Sequence, residues 1–417
     1  MQEGRPWSAA LKWLAVLGPF FFLSYCLSNS FSSHRANVPS VMFGWEHGMP
    51  FIPWTIVPYW TSDFLYVVSL LICTTRRELD LHAKRLLAVQ VISVACFLVF
   101  PLQCAFSRPE THGVFGWLFT VLLGFDKPFN QAPSLHVSLA VILWSRFAAH
   151  LTGFWRHAMT GWLGLIVLST MTTYQHQFLD LPTGALAGLL TIALVPDREM
   201  GLAPGAERKA QRMRLATIYM SGAVLALATA IKLGGYGWTL AWVVAALLVV
   251  AIAYAADRPG IFRQPLIRLV VAPYTAAAWI NSRWWTRAQD PAQEIVDGVW
   301  LGRAPFGSTK FQSVVNLAAE LQVPGRQIPM LDLVTPTEQQ LLEAASAIEE
   351  FGSQRPTLVC CALGYSRSAS AVAAWLVATG RAESTAEAVA RIRVARPHVV
   401  LESTQPQFDG VAVARRV

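Results

Sequence analysis

The amino-acid sequence predicts a multi-pass α-helical membrane domain followed by a small cytosolic α/β domain. Hydrophobic residues make up 54% of the 417 residues, charged residues only 14%, and the mean hydropathy is +0.42, well above ordinary water-soluble domains. Eight apolar stretches fill most of residues 1–257. From residue 291 onward the pattern changes to alternating strands and helices. We therefore divide the chain into a membrane domain (1–257), a juxtamembrane segment (258–290) and an α/β domain (291–417).

Each of the eight apolar stretches is long enough, or nearly so, to cross about 30 Å of hydrocarbon as a helix. A helix is expected because a segment in lipid must satisfy its own backbone hydrogen bonds. The stretches are approximately 12–28, 53–75, 86–106, 132–150, 158–174, 178–196, 214–232 and 237–256. A ninth, "HGVFGWLFTVLLGF", is too short to span comfortably and is expected to be re-entrant or interfacial.

The distribution of Lys and Arg predicts the orientation in the membrane. Basic residues concentrate around 76–85, 146–156 and 198–214, which are therefore expected to be cytoplasmic loops. With eight crossings both termini are cytoplasmic, in a protein of the inner (plasma) membrane. The net charge of +8 gathers in these short clusters, so we do not expect nucleic acid as a partner. The segment "FRQPLIRLVVAPYTAAAWINSRWWTR" is predicted to be an interfacial helix.

The α/β domain follows from local patterns. The β-branched runs in "IVDGVWLGRAP" and "FQSVVNLAAE" predict strands, and "TEQQLLEAASAIEEFG" predicts a helix with a glycine stop. "TLVCC" predicts a buried strand, and "SRSASAVAAWLVATG" a helix that ends at Gly380. Strands that alternate with helices indicate a small α/β domain able to bury its own core.

A phosphate-sized site is expected between the last strand and the last of these helices. The strand ends at Cys361 and the helix begins near Ser368, so the turn "ALGYSR" directs backbone N–H groups at a helix N-terminus. In this cradle Cys361 is the candidate nucleophile, since the helix dipole and Arg367 would stabilise its thiolate. Arg367 would also hold two phosphoryl oxygens.

Other residues of the same loop support this interpretation. Gly364 permits the tight backbone, and Gly364 and Ser366 are candidate phosphate-binding residues. The Ser368 hydroxyl can stabilise the thiolate as it leaves.

The quoted loop "CALGYSRS", with "VWLGRAP", "VVNLAAE" and "ARPHVVL", resembles the dual-specificity branch of the cysteine-dependent phosphatases over essentially all of residues 291–417. In that family an aspartate some thirty residues before the cysteine donates a proton to the leaving group. The resemblance assigns this role to Asp332, in "MLDLVTP". Glu338 and Glu343 are alternatives on the following helix. Cys360 stands where the family usually has a histidine, so a weakly active or inactive phosphatase is weighed against the active enzyme that we favour.

The membrane half contains a second set of ionisable residues. His136 lies at the start of the fourth apolar stretch, whereas His176 and Asp180, four apart, would share one helical face if the helix has begun. Arg108 follows the third stretch, and the predicted orientation places all four at the outer surface. One histidine can attack phosphorus while the carboxylate fixes its tautomer and a second histidine protonates the departing oxygen.

This set resembles the type 2 phosphatidic acid phosphatase superfamily over roughly residues 80–196, and the bundle is expected to share that fold. The resemblance implies His176 as the nucleophile, Asp180 as its orienting partner, His136 as general acid and Arg108 in phosphate binding. The sequence has "PSLH" where the superfamily usually has Pro-Ser-Gly-His.

Two further departures remove positive charge from the expected pocket. Ser169-Thr170 replaces the usual Ser-Arg, and Pro101 stands where a lysine is usual. "PSLH" is more similar to the inositol phosphorylceramide synthase branch, which transfers phospho-headgroups between lipids. Headgroup transfer is therefore an alternative to hydrolysis.

Together these patterns predict a membrane-bound bifunctional phosphatase that acts on phosphorylated lipids. A His/His/Asp site would act on lipid phosphates at the outer face, and a Cys/Asp/Arg site would hydrolyse phosphomonoesters in the cytosol. The expected partners are the membrane and a phospholipid or lipid phosphate, with a phosphoprotein as a second option; neither mechanism requires a cofactor or metal. The alternatives are a headgroup transferase coupled to a phosphatase, a membrane-anchored protein tyrosine/serine/threonine phosphatase, and a non-catalytic sensor.

Overall fold

The computed structural model of the protein describes residues 5–124, 126–197, 204–307, 309–352 and 356–401. The chain forms two compact units, Met1–Met200 and Gly201–Val417. The predicted limits of the membrane domain, the juxtamembrane segment and the α/β domain stay predictions, and residues 402–417 of the last lie outside the described residues.

The first unit consists of helices. They are α1 (Trp7–Ser33), α2 (Ile56–Leu71), α3 (Arg76–Val99), α4 (Gly113–Leu123), α5 (Leu135–His150), α6 (Gly153–Thr172) and α7 (Asp180–Leu194). The largest apolar cluster of this unit joins α1, α2, α3 and α5. A second cluster joins α2, α5 and α6. Other large apolar side chains, such as Leu23, Phe64 and Trp155, are exposed, so apolar residues face both the neighbouring helices and the outside of this unit.

The second unit begins with four helices, α8 (Pro204–Leu233), α9 (Leu240–Ala255), α10 (Pro265–Val270) and α11 (Ala272–Trp285). Helices α8 and α9 pack on each other as a hairpin. Five strands follow, β1 (Ala292–Val296), β2 (Val299–Arg303), β3 (Ser313–Ala318), β4 (Arg326–Met330) and β5 (Thr357–Cys361). The remaining helices are α12 (Glu338–Gly352), α13 (Arg367–Ala378) and α14 (Thr385–Ala395).

The strands form one sheet in the order β1-β2-β5-β3-β4. The β1–β2 pair is antiparallel and the other pairs are parallel. Helices α12, α13 and α14 cover one face, where they form the largest apolar core. Trp279 and Ala278 of α11 pack on the other face. Strand β5 is the central strand, so every residue of it is buried and its carboxyl end opens between two parallel neighbours.

The small α/β domain is confirmed, with two differences in its elements. "IVDGVWLGRAP" is a hairpin of two strands rather than one, because Asp297 and Gly298 both have positive φ (51° and 76°) and form a two-residue turn. Strand β4 was not predicted at all; it pairs with β3 at the edge of the sheet, and its sequence, "RQIPM", lacks β-branched runs. The helix expected to stop at Gly380 ends at Ala378, two residues before this glycine with φ 75°.

The prediction of eight membrane crossings exceeds what the helices support. Among the described residues, four helical segments are long and apolar enough to cross a membrane: Trp7–Ser33, Arg76–Val99, Gly205–Leu233 and Gly235–Ala255. Helices α2, α5 and α7 have 16, 16 and 15 residues, short of the roughly 20 that a helix needs to span hydrocarbon. The ninth stretch forms α4, a short apolar helix of 11 residues.

Several residues expected in cytoplasmic loops lie on helices instead. Helix α3 begins at Arg76 rather than near residue 86, because the Thr75 side chain caps it by accepting a hydrogen bond from the backbone N–H of Glu78. Arg146 lies buried on α5 and forms an ion pair with Glu78. The third basic cluster lies largely on α8, while its first part, 198–203, is outside the described residues.

The segment predicted to be one interfacial helix is two helices, α10 and α11. The helix is interrupted at Val271. Pro273 lies in the first turn of α11, where a missing backbone N–H is tolerated. Leu266 and Leu269 of α10 and Ile280 and Trp284 of α11 are exposed.

Candidate active sites

The cysteine loop connects the central strand to α13. Cys361 is the last residue of β5 and Arg367 the first of α13, so the loop 362–366 lies at the carboxyl end of the parallel strands. This is the end at which ligands bind in open α/β sheets. Cys361 is buried, with 3% of its surface exposed. The spacing found in the sequence is thus built into a rigid strand–loop–helix unit.

Two hydrogen-bonding groups surround the Cys361 sulfur. The Ser368 hydroxyl oxygen lies 3.2 Å from Sγ, and the backbone N–H of Gly364 donates to Sγ over 3.3 Å. Donors at a helix N-terminus stabilise a thiolate more than a thiol. The arrangement therefore suits Cys361 as a nucleophile and Ser368 as the group that stabilises it when it leaves.

Gly364 is required by both the backbone and the space around it. Its φ is +75°, in the left-handed region, and a Cβ built there would lie 2.6 Å from the backbone carbon of Gly302. No other residue fits without moving β2 or the loop. Ser366, the second predicted phosphate-binding residue of the loop, is the residue that immediately precedes α13.

Arg367 is held by carboxylates. Its two terminal nitrogens donate to Glu320 over 2.8 and 2.6 Å, and Nη2 also lies 3.0 Å from Asp332 Oδ1. Burial by itself would lower the pKa of Arg367, but Asp332 and Glu320 outweigh it and raise this pKa well above its usual value. The Arg367–Glu320 pair is buried, so removing Arg367 would leave the Glu320 charge unpaired and cost about 3–5 kcal/mol.

The structure brings the aspartate that the family resemblance assigns as general acid next to the cysteine loop. Asp332 follows β4 and contacts Arg367, with its side chain 41% exposed. Its alternatives lie elsewhere: Glu338 begins α12, and Glu343 forms an exposed ion pair with Arg326. Only Asp332 among the three contacts Arg367 in the part of the chain that the structure describes.

Cys360 occupies the position where the family usually has histidine. It is fully buried, its Sγ lies 3.8 Å from Asn316 Oδ1, and it points to the face of the sheet opposite to Cys361. Burial, and then the nearby Cys361, raise the pKa of the Cys360 thiol far above its usual range. Cys360 therefore stays a neutral packing residue.

We expect Cys360→Ala to keep the turnover of phosphomonoesters within about threefold of wild type, because it removes a packing atom rather than a reacting group. Initial rates with a soluble aryl phosphate measure this. A loss as large as that of a Cys361 variant would show that Cys360 takes part in the reaction.

Two residues of this site carried no assigned role in the sequence analysis. Glu320 lies just after β3, and Arg396 lies just after α14, buried, with Nε donating to the backbone oxygen of Gly364 over 3.1 Å. Both stand in stretches that contributed to the family resemblance, "VVNLAAE" and "ARPHVVL". Only that resemblance could have pointed to Glu320 and Arg396 from the sequence, since no local spacing connects either residue with Cys361.

The first unit brings the predicted His/His/Asp set together. His176 Nδ1 lies 3.1 Å from Asp180 Oδ2, and the ring centroids of His136 and His176 are 6.2 Å apart. His176 is not on a helix as the four-residue spacing suggested, because α7 begins only at Asp180. The Asp180 carboxylate also accepts the backbone N–H of Gln177 over 2.9 Å, which fixes the turn between the two.

The surroundings of this set include residues that the sequence analysis did not find. Tyr59 stacks on His136 with ring centroids 4.1 Å apart, and buried Glu46 accepts the backbone N–H of Phe178 over 2.6 Å. Arg108 contacts the same turn less directly, since its Nε donates to the backbone oxygen of Thr173 over 3.3 Å. No sequence pattern connects Tyr59 or Glu46 with the histidines.

A protein-family model and several solved structures match part of this chain. A family model described as "Tc-R-P: Polymorphic toxin system, DSP-PTPase phosphatase" matches residues 308–381. The crystal structure of Tk-PTP in the active form aligns with 30% of this chain and 98% of its own, at 25% identity and a TM-score of 0.27. That of PTPMT1 in complex with PI(5)P aligns with 30% of this chain and 96% of its own, at 19% identity and a TM-score of 0.25. No curated protein matches the sequence.

The matched segment includes Glu320, Asp332 and the whole loop from Cys361 to Ser368. Ser308 and residues 353–355 of it lie outside the described residues. The match therefore identifies residues 308–381 as part of a phosphatase domain of the dual-specificity, protein-tyrosine-phosphatase type.

Proposed function

We propose that the chain is a membrane-bound bifunctional phosphatase that acts on phosphorylated lipids. The Cys361 site hydrolyses phosphomonoesters in the cytosol, and the His176 site acts on lipid phosphates or headgroups at the outer face of an inner (plasma) membrane. Both termini are cytoplasmic in this proposal. The observation that carries it is the geometry of Cys361, whose sulfur contacts Ser368 and the Gly364 N–H at the start of α13.

In the proposed reaction the Cys361 thiolate attacks phosphorus and the bond to the leaving oxygen breaks. Asp332 gives its proton to that oxygen, and a cysteinyl phosphate remains. Water then attacks this phosphate, Asp332 accepts the water proton, and the Cys361 thiolate leaves with stabilisation from Ser368. Because Glu320 holds one side of the Arg367 guanidinium, a phosphate would take the place of the Asp332 carboxylate at Nη2 and free Asp332 to act as an acid.

A lipid substrate is favoured over a phosphoprotein by what surrounds this domain. The same unit contains Gly205–Leu233 and Gly235–Ala255, two segments long and apolar enough to cross a membrane. Leu266, Leu269 and Trp284 add exposed apolar surface on the short helices between them and the sheet. A phosphatase tethered at a bilayer meets lipid phosphates at high effective concentration.

A second activity is favoured by the His136, His176 and Asp180 cluster in the first unit. Asp180 binds Nδ1 of His176, so Nε2 of this histidine is the nitrogen that would attack phosphorus. The ring centroid of His136 lies 6.2 Å from that of His176, and His136 would protonate the departing oxygen. Headgroup transfer is the alternative to hydrolysis here, because Pro101 and Thr170 supply no positive charge to a dianionic phosphate.

The test is turnover by the purified full-length protein in mixed vesicles. Its substrates are a lipid phosphomonoester, a phosphotyrosyl peptide, and a labelled phospholipid with an acceptor alcohol. We expect the lipid phosphomonoester to exceed the peptide in kcat/KM by at least about tenfold, as tethering implies. Preference for the peptide would instead support a membrane-anchored protein phosphatase, and binding without turnover a sensor.

A further inference from the structure

The loop that carries Asp332 contacts helices outside the phosphatase domain. We call residues 331–335, between β4 and α12, the acid loop. Leu331 and Val334 of this loop are buried in one apolar cluster with Ala216 of α8 and Val250 of α9. The α8–α9 hairpin thus packs directly on the segment that holds the proposed general acid.

A hydrogen bond from α9 holds the backbone at Asp332 itself. The Tyr254 hydroxyl donates a hydrogen bond to the backbone oxygen of Asp332 over 3.1 Å. Tyr254 is almost fully buried, and Tyr219 of α8 packs on it with ring centroids 5.4 Å apart. The ring therefore cannot leave this position without opening the packing of the hairpin.

Helix α8 binds the end of the same loop. Arg208 Nε donates to the backbone oxygen of Thr335 over 3.0 Å, and Gln211 Oε1 accepts the backbone N–H of Thr335 over 2.8 Å. Arg208 is itself fixed by Asp257, whose Oδ1 lies 2.8 Å from Nη2. Both backbone polar groups of Thr335 are consequently held by one helix.

The backbone between these two anchors is strained. Leu333 has φ 55°, in the left-handed region that a leucine rarely adopts, and its side chain is 75% exposed. The Leu333 side chain is too exposed to stabilise this conformation by packing, and leucine lacks the conformational freedom of glycine. Contacts of the neighbouring residues surround it instead: Val334 is buried, and the backbones of Asp332 and Thr335 are hydrogen-bonded to the hairpin.

We propose that the α8–α9 hairpin sets the position of the general acid, with Tyr254 and Arg208 as positioning residues for Asp332. The proposal rests on the proposed phosphatase function of Cys361. The Asp332 carboxylate has one described side-chain partner, Arg367, which a phosphate would take over, so the backbone contacts then determine where the acid lies. A misplacement of about 1 Å is enough to lower a rate by about 10²-fold.

The experiment compares two leaving groups in the full-length protein. The phenolate of an acidic phenol leaves an aryl phosphate without protonation. The alcohol of an alkyl phosphomonoester leaves only when the general acid protonates its oxygen. We expect Tyr254→Phe to lower kcat/KM, which reports the steps through departure of the leaving group and not the later hydrolysis of the cysteinyl phosphate, by at least about tenfold for the alkyl substrate and by no more than about twofold for the aryl substrate. Arg208→Gln should shift the same ratio. Tyr236→Phe, in the exposed turn between α8 and α9, is the matched control and should leave both rates unchanged.

Each outcome separates the two proposals. Equal losses on both substrates would show that Tyr254 only stabilises the fold, and wild-type rates in both Tyr254→Phe and Arg208→Gln would show that the hairpin does not position the acid. Either result overturns this inference and leaves the proposed function intact. If the wild-type protein hydrolyses neither substrate, the proposed function fails and the inference fails with it.

Discussion

Cys361→Ser should abolish phosphomonoester hydrolysis, with a fall in kcat of at least about 10³-fold, because a serine hydroxyl is a far weaker nucleophile at neutral pH than a thiolate. The smaller oxygen can still accept from the Gly364 N–H and bond to Ser368, the two contacts that Cys361 makes. The fold should therefore persist. Initial rates on a soluble aryl phosphate, with thermal unfolding of the same preparation, measure both expectations.

The neighbouring Cys360→Ala variant is the matched control for Cys361→Ser, since it removes an adjacent buried thiol on the opposite face of β5. Retention of wild-type turnover by Cys361→Ser would contradict the mechanism. An equal loss in both variants would contradict the assignment of Cys361 alone as the reacting cysteine.

His176→Ala should abolish the second activity, hydrolysis or headgroup transfer on a lipid substrate, by at least about 10³-fold and leave aryl phosphate hydrolysis by Cys361 unchanged. The reason is that His176 is the histidine whose Nδ1 is held by Asp180. Asp180→Asn keeps the shape of the side chain but favours the wrong tautomer of His176, so we expect the rate of the lipid reaction to fall by about 10²–10⁴-fold. Release or transfer of a labelled headgroup measures both variants.

His157→Ala is the control for this pair, because His157 is exposed on α6. It should behave as wild type on every substrate. If His176→Ala retains all lipid turnover, the His136–His176–Asp180 cluster is structural and the proposal of a second active site is wrong.

The cysteine loop was predictable because its information is local. Cys361, Gly364, Arg367 and Ser368 lie within eight consecutive residues, and an apolar strand before them and a helix after them fix their relative positions. Asp332 is more distant in sequence and needed the family resemblance. The structure places it 3.0 Å from Arg367.

Glu320, Arg396 and Tyr254 could not be found in the same way. Each reaches the site through tertiary packing, from the end of β3, the end of α14 and the hairpin respectively, and no periodicity or spacing relates them to Cys361. Edge strand β4 was missed for a related reason. Strand β4 is stabilised by its pairing with β3, whereas the side-chain types in its sequence do not indicate a strand.

The helical unit shows where a hydropathy pattern alone misleads. Apolar runs gave approximate helix positions, but the pattern does not reveal that α3 starts at Arg76 or that α7 starts at Asp180. Those bounds depend on the Thr75 cap and on the turn that Asp180 closes. Among the described residues four helical segments are long and apolar enough to cross a membrane, against eight predicted stretches, in part because a run that includes turn residues is longer than its helix.

The most direct test of the cysteine mechanism is to identify the phosphorylated residue. In Asp332→Asn, an aryl phosphate with an acidic phenol still phosphorylates Cys361, but the amide cannot accept the proton of the attacking water, so the cysteinyl phosphate should accumulate. Rapid denaturation of the full-length protein during turnover, followed by mass spectrometry, should find one phosphoryl group on the peptide that contains Cys361. A peptide that stays unmodified while phosphate is released, or a phosphoryl group on His176 alone, would contradict the account.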